Sequence, residues 1–309
     1  MTSKYCLLTN DVETTSIWLN KLRDATGLKV WKEGMPVLLD IYDHYNIKST
    51  FYVTGHIASL YPGIIKMIVE KGHELGSHSW SHEKHHGLDV LDYNGQLDQL
   101  IRSKKLLEDI SGQEVISFRS PALRLNQHSA RAIIDAGYKT DSSVASQRFD
   151  MFMSFGGLKK LKWLFAPRLP YRVKETNIFK KGNSSLIEVP LSATFLPYVA
   201  TTMRVFPEIT AFQRHLLNME SKINGKPIVF DIHPNEFIDE SDEPREISRR
   251  SSNPVSYFLQ DFVRSKLKVK NLGGKAIPLY EKQIKFFKNR GYKFTTVRGY
   301  CEENGLLIN

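Results

Sequence analysis

Short strands alternate with helices along this chain, and that alternation constrains its fold more than any other feature. Residues 5–9 predict a strand, 35–44 an amphipathic helix and 49–53 a second strand. Further helices are predicted at 62–71, 92–110, 129–136 and 211–223. Repeated strand–helix units without internal sequence repeats indicate a parallel sheet covered by helices, arranged either as an open sheet or as a barrel.

The chain of 309 residues shows no linker, so we expect one domain over 1–309, with a basic, aromatic insertion around 149–181. No apolar run reaches the roughly 18–20 residues of a membrane span. The first residues lack the features of a secretory signal, which predicts a cytoplasmic protein. Cys6 and Cys301 stand in no ligand or redox pattern, as is typical of a reducing compartment.

Polar side chains stand where the predicted strands end. They are Asp11, His78, Arg119, Asp141 and His233. In parallel α/β folds the carboxyl ends of all strands lie on one face, and reactive side chains concentrate there. We therefore expect these residues to converge, whichever of the two sheet arrangements the chain adopts.

The pair His78 and His82 has the spacing of two ligands to one metal ion. A helical turn or a tight loop can bring both imidazoles together, and neutral imidazole suits zinc and similar divalent ions. Asp11 and Glu13 lie two residues apart, so on a continuing strand both carboxylates point to the same side. One of them can bind the ion while the other accepts a proton from water.

In chain order, these residues form a series of short motifs: Asp11-Val12-Glu13, His78-Ser79-Trp80-Ser81-His82, Arg119-Ser120-Pro121, Asp141 within 137–143, and Ile232-His233-Pro234. The series resembles that of the polysaccharide deacetylases of the NodB-homology type, carbohydrate esterase family 4. The resemblance runs in order from residue 7 to residue 236.

Three positions depart from the usual family pattern. The first motif has an acid-x-acid form with Glu13 at the ligand position, where adjacent aspartates are common. The motif around Asp141 lacks the tryptophan of many members, and Leu123 stands where a glycine is frequent.

The resemblance implies a distorted (β/α) barrel of about seven strands. It also implies a hydrolase that removes an N-acetyl or other N-acyl group from an amino sugar, with a divalent ion, expected to be zinc, on Glu13, His78 and His82. The implied catalytic roles are Asp11 as general base, His233 as the acid for the departing amine, Arg119 holding Asp11, and Asp141 orienting His233.

A formal net charge of +10 and a pI of about 9.4 favour anionic partners. With no leader visible, we expect a phosphate-bearing or lipid-linked amino-sugar precursor as substrate, and peripheral contact with a membrane is compatible with this. Nucleic acid is a less favoured partner, and the sequence does not predict the oligomeric state. Two alternatives are an allantoinase-like amidase of the same fold and a basic glycan- or nucleic-acid-binding protein with a vestigial metal site.

Overall fold

The computed structural model describes residues 3–147, 163–245 and 264–307. The strands are β1 (Tyr5–Val12), β2 (Thr15–Ser16), β3 (Lys21–Leu22), β4 (Thr50–Val53), β5 (Glu74–Ser77), β6 (Ser117–Phe118), β7 (Thr140–Asp141), β8 (Tyr171–Lys174), β9 (Asn177–Lys181), β10 (Ile187–Glu188), β11 (Ile228–Ile232) and β12 (Lys293–Phe294).

The helices of the described residues surround this sheet. They are α1 (Asp24–Lys29), which continues into a π-helical turn (Val30–Gly34), α2 (Met35–Tyr45), α3 (Gly55–Leu60), α4 (Gly63–Glu70), α5 (Tyr93–Ser111), α6 (Ser129–Asp135), α7 (Ala200–Val205), α8 (Pro207–Asn224), α9 (Arg264–Lys268), α10 (Ala276–Lys288) and α11 (Val297–Glu303). In the described part of the chain, none of them is long and apolar enough to cross a membrane.

Seven strands form a parallel series in the order β11-β1-β4-β5-β6-β7-β10, and the short β12 pairs parallel with the start of β1. The chain just after β10 returns to β11, where the Ser192 amide donates to the Val229 carbonyl at 3.1 Å. The curled sheet therefore nearly closes on itself, which confirms the distorted barrel of about seven strands. All carboxyl ends of these strands face the same side.

Local sequence explains where the main helices begin and end. The side chain of Asp92 accepts from the Gly95 amide at the start of α5, and Gly112 ends that helix in the left-handed conformation. Helix α8 begins at Pro207, four residues before the predicted start, and ends at Gly225 in the same left-handed conformation. These helices pack their apolar faces on strands whose side chains are buried on both faces, as β1 and β11 are.

The predicted irregular segment 149–181 is only partly described, because 149–162 lie outside the described residues. Its remainder contains an antiparallel pair, β8 and β9, that extends the sheet beyond β10. Both cysteines, Cys6 and Cys301, are buried and free.

Candidate functional site

The carboxylates of the first motif stand at the end of the central strand β1. Asp11 belongs to the strand itself and Glu13 follows it; the two residues are 6% and 5% exposed. Each lies beside one histidine of the second motif: His78 Nε2 is 3.5 Å from Asp11 Oδ2, and His82 Nε2 is 2.8 Å from Glu13 Oε2.

Three potential metal ligands converge beside Asp11. The Nε2 atoms of His78 and His82 are 2.9 Å apart, and Glu13 Oε2 lies against the second of them. The histidine motif forms a tight loop rather than a helix, in which Ser79 adopts a positive φ of 58°. This turn lets the chain bring both imidazoles to one point.

The tautomer of His78 follows from its other ring nitrogen. Nδ1 lies 2.8 Å from the carbonyl oxygen of Arg119, which only accepts, so Nδ1 carries the hydrogen. Burial lowers the pKa of His78 to about 4, so the ring is neutral and Nε2 keeps a free lone pair. A backbone carbonyl that fixes a histidine in this way is the usual support of a metal ligand.

Arg119 is fully buried and joins the acidic groups of the site. Its Nη1 donates to Asp11 Oδ1 at 3.0 Å and to Asp231 Oδ1 at 2.6 Å. Its Nε and Nη2 donate to the backbone carbonyl and hydroxyl of Ser142, and its guanidinium stacks on the ring of Tyr52, 4.4 Å from the centroid.

These contacts keep Asp11 ionised. Burial acts to raise its pKa, but the coulombic attraction of His78, Arg119 and His233 outweighs burial and lowers it. Because His78 is neutral above about pH 4, Arg119 and His233 supply the positive charge at neutral pH. Because Arg119 occupies Oδ1, the second oxygen, Oδ2, stays directed toward the converging ligands.

His233 follows β11 and lies on the side of Glu13 opposite His82. Its Nε2 lies 3.8 Å from Glu13 Oε1, and its Nδ1 lies 3.7 Å from Glu236 Oε1. Burial acts to lower the pKa of His233, but Glu236, Asp231 and the other carboxylates outweigh burial and raise it to about 10. The imidazole is therefore protonated at neutral pH.

The structure does not bring Asp141 to His233, and the expected orienting contact is absent from the described residues. Asp141 Oδ1 accepts from the Ser143 hydroxyl at 2.6 Å. Burial raises the pKa of Asp141, and burial together with the charge of Asp141 raises the pKa of the neighbouring Glu188. The reason is topological: β10, which carries Glu188, lies between β7 and β11.

Two acidic residues near His233 were missed by the sequence interpretation. Asp231 lies two residues before it in the same strand and binds Arg119; Glu236 lies three residues after it and pairs with the buried Arg204. Asp231 could have been identified from the sequence, because it is a charged residue within the apolar run of β11 and lies on the same face as His233.

A second grouping of possible ligands, Asp11, Asp231 and His233, has atoms within 4.8 Å of one another. It suits a cation poorly, because both carboxylates already share Arg119 and the protonated imidazole offers no lone pair. The set Glu13, His78 and His82 offers two imidazoles and a carboxylate, which fits a divalent ion such as zinc.

Comparisons with known proteins relate this chain to polysaccharide deacetylases. The sequence model of a family described as polysaccharide deacetylase matches residues 24–140, which include His78, His82 and Arg119. A peptidoglycan deacetylase of Helicobacter pylori is 25% identical over 146 residues, covering 45% of this chain and 49% of that protein. A peptidoglycan-N-acetylglucosamine deacetylase, PgdA, of Listeria monocytogenes is 32% identical over 98 residues, which cover 32% of this chain and 20% of that protein.

The matches therefore span about half or less of these two relatives. Among solved structures, a protein of Mycobacterium smegmatis described as a proposed polysaccharide deacetylase superposes with a TM-score of 0.55 at 23% identity. That superposition covers 75% of this chain and 78% of the other, and it supports the barrel fold.

Proposed function

We propose that this chain is a metal-dependent hydrolase that removes an N-acetyl or other N-acyl group from an amino sugar. The match of residues 24–140 to the polysaccharide deacetylase family supports this proposal. The substrate is a glycan or a glycan precursor. The names of two relatives support this class, since both refer to deacetylation of peptidoglycan.

The observation that carries the proposal is the convergence of Glu13, His78 and His82 next to an ionised carboxylate that is not needed as a ligand, that of Asp11. These three residues would hold the ion. When bound, a divalent ion supplies Lewis-acid polarisation of the acyl carbonyl and lowers the pKa of water.

Asp11 acts as the general base. Its Oδ2 takes a proton from the attacking water while the water oxygen adds to the acyl carbon. Arg119 holds Oδ1, so the carboxylate keeps its charge and cannot rotate away from the ligands. A general base of this kind contributes about 10²–10⁴ to the rate.

His233 acts as the general acid. Its protonated ring lies across Glu13 from the two ligand histidines, and Glu236 and Asp231 favour the protonated form. It donates a proton to the amide nitrogen, so that the C–N bond breaks with a neutral amine as leaving group. The products are a carboxylic acid and the free amine, which together account for the amide and the water consumed. The proton left on Asp11 replaces the one that His233 gave up, so both groups return to their starting state.

The test is acetate release from N-acetylglucosamine oligosaccharides by the zinc-loaded chain and by Asp11→Asn. The variant keeps the shape and the contact with Arg119, so we expect wild-type zinc content and a turnover reduced by about 10²–10⁴.

A matched control is Asp98→Asn, which changes the same charge on α5, away from the site, and should leave turnover unchanged. Failure of the wild-type chain to release acyl groups from any N-acylated amino sugar would contradict the proposal. Equal turnover of Asp11→Asn and wild type would contradict the role of Asp11.

A further inference from the structure

Helix α8 carries an apolar stripe on its outer face, away from the site. Phe212, Leu216, Met219 and Ile223 follow one another at intervals of four, three and four residues, so they line one side of the helix. They are 57%, 36%, 58% and 83% exposed. By contrast, the long helix α5 exposes a single large aliphatic side chain, Ile101.

More exposed apolar side chains border this stripe. Leu169 is 38% exposed and is the neighbour of Arg168, whose guanidinium binds Glu220 of α8. Phe195 lies between two residues that accept hydrogen bonds from Gln213 of the same helix. We call this surface, made of the stripe with Leu169 and Phe195, the α8 face. Contiguous exposed apolar patches on folded chains mark interaction sites.

Basic side chains flank the α8 face on the side of α10. Arg214 and Arg290 both stack on Phe286, with guanidinium carbons 4.7 and 3.7 Å from the ring centroid. Lys282 lies beside them, since its carbonyl accepts from Arg214 Nη1, and Lys222 is exposed on α8 itself. Within the described residues, none of these four cations forms an ion pair.

The acidic groups of the helix do not offset this charge. Glu220 is already bound bidentately by Arg168 and approached by Lys226 at 3.4 Å, which leaves Glu208 at the amino end of α8. A second copy docked face to face would bring its own cations against these. The combination of apolar stripe and basic flank instead complements a surface that is both apolar and anionic.

We propose that the α8 face docks the protein on an anionic phospholipid membrane. Phe212, Leu216, Met219 and Ile223 enter the interface between headgroups and acyl chains, with α8 lying parallel to the bilayer plane. Arg214, Lys222, Lys282 and Arg290 contact lipid phosphates from the rim. The inference concerns a surface remote from the metal ligands and does not depend on the catalytic proposal.

Co-sedimentation of the full chain with phosphatidylcholine vesicles, with and without phosphatidylglycerol, tests this docking. The patch variant is Met219→Glu/Ile223→Glu. Its matched control is Leu60→Glu/Ile101→Glu, which places the same charges on exposed apolar positions of α3 and α5. We expect binding that requires phosphatidylglycerol, that the patch variant weakens roughly tenfold or more, and that the control retains.

A second pair tests the basic flank. Lys222→Gln/Lys282→Gln should weaken vesicle binding and reduce its dependence on salt. The control Lys66→Gln/Lys105→Gln, at exposed positions elsewhere, should weaken binding and reduce its salt dependence by a smaller amount. Absence of binding to anionic vesicles would overturn the proposal, as would equal loss in patch and control variants. If the wild type forms a concentration-dependent dimer and only the patch variant is monomeric, the α8 face binds a second copy. That result would also overturn the membrane proposal.

Discussion

The charge of each side chain in the site depends on its neighbours, and Arg119 is the neighbour on which most of these charges depend. It lies between Asp11 and Asp231, and it offers its backbone carbonyl to His78. This one buried residue thus orients the proposed base through its guanidinium and fixes the tautomer of a proposed ligand through its backbone carbonyl. Loss of this residue would leave two buried carboxylates without a counter-charge, which destabilises the fold as well as the chemistry.

Asp231, rather than Asp141, is expected to tune His233. In Asp231→Asn a negative charge near the imidazole is lost, so the pKa of His233 falls and the alkaline limb of the kcat/KM profile moves to lower pH. Asp141→Asn, which contacts Ser143 rather than His233, should leave that limb in place. A shift of the limb in the second variant alone would contradict this assignment.

The sequence could predict that Asp141 ends a strand but not what that strand faces. Periodicity identifies strands, whereas the order of strands in the sheet decides which of their ends are neighbours. His78, Arg119 and His233 converge because any parallel arrangement gathers their strand ends. The partner of His233 depends on the actual order, in which β11 carries its own carboxylate.

A buried histidine outside the site should make stability depend on pH. His73 is 4% exposed, and its Nδ1 accepts from the Ser49 amide at 3.2 Å. Burial, with Lys48 nearby, lowers its pKa from 6.5 to about 4. Protons therefore bind the unfolded chain first, and the stability present above pH 6.5 is lost as pH falls toward 4.

His73→Asn keeps an acceptor for the Ser49 amide and removes the titration. Its free energy of unfolding, measured by urea denaturation, should fall less steeply than that of the wild type between pH 6.5 and 4. The difference should approach roughly 2–3 kcal/mol at the acid end. Parallel curves for the two proteins would contradict the assignment.

Among the elements, the short turn after Arg119 shows backbone strain. Ala122 and Leu123 have positive φ values of 50° and 55°, which side chains with a Cβ rarely adopt. Leu123 is the position where the family often has glycine, and the structure gives a physical reason for glycine there. Strain of this kind is found next to functional residues.

Ala122→Gly should relieve part of this strain, since Ala122 is exposed and loses little packing. We expect stabilisation of up to about 1 kcal/mol in thermal or urea unfolding. Ala211→Gly in α8, where the backbone is helical, should instead destabilise by about 0.5–1 kcal/mol. The same sign for both substitutions would argue against strain at 122.

Helices with clear apolar spacing were predictable, and elements without it were not. Helices α2, α4, α5 and α6 have regular apolar stripes and glycine or polar stops. The turns over 24–34 lack such a stripe and were not predicted. The pair β8 and β9 has no Asn-Gly or similar turn signal between its strands, so the hairpin could not be read from the pattern.

At the scale of the whole molecule, the chemistry lies on one face of the barrel and the α8 face lies on its flank. The parallel strands place the proposed ligands and proton-transfer groups at or just beyond their carboxyl ends. Sequence alone left an open sheet and a barrel as alternatives, because both have the same strand–helix alternation. Closure depends on long-range contacts such as that between Ser192 and Val229, which no local pattern reports.

The central claim is that Glu13, His78 and His82 hold one divalent ion, and zinc titration calorimetry tests it most directly. The wild type and His85→Ala, which removes an exposed histidine of the same loop, should each bind one equivalent. His82→Ala should bind about two orders of magnitude more weakly or not at all. Unchanged zinc affinity in His82→Ala, with loss in Asp231→Asn instead, would contradict the account and place the ion between Asp11, Asp231 and His233.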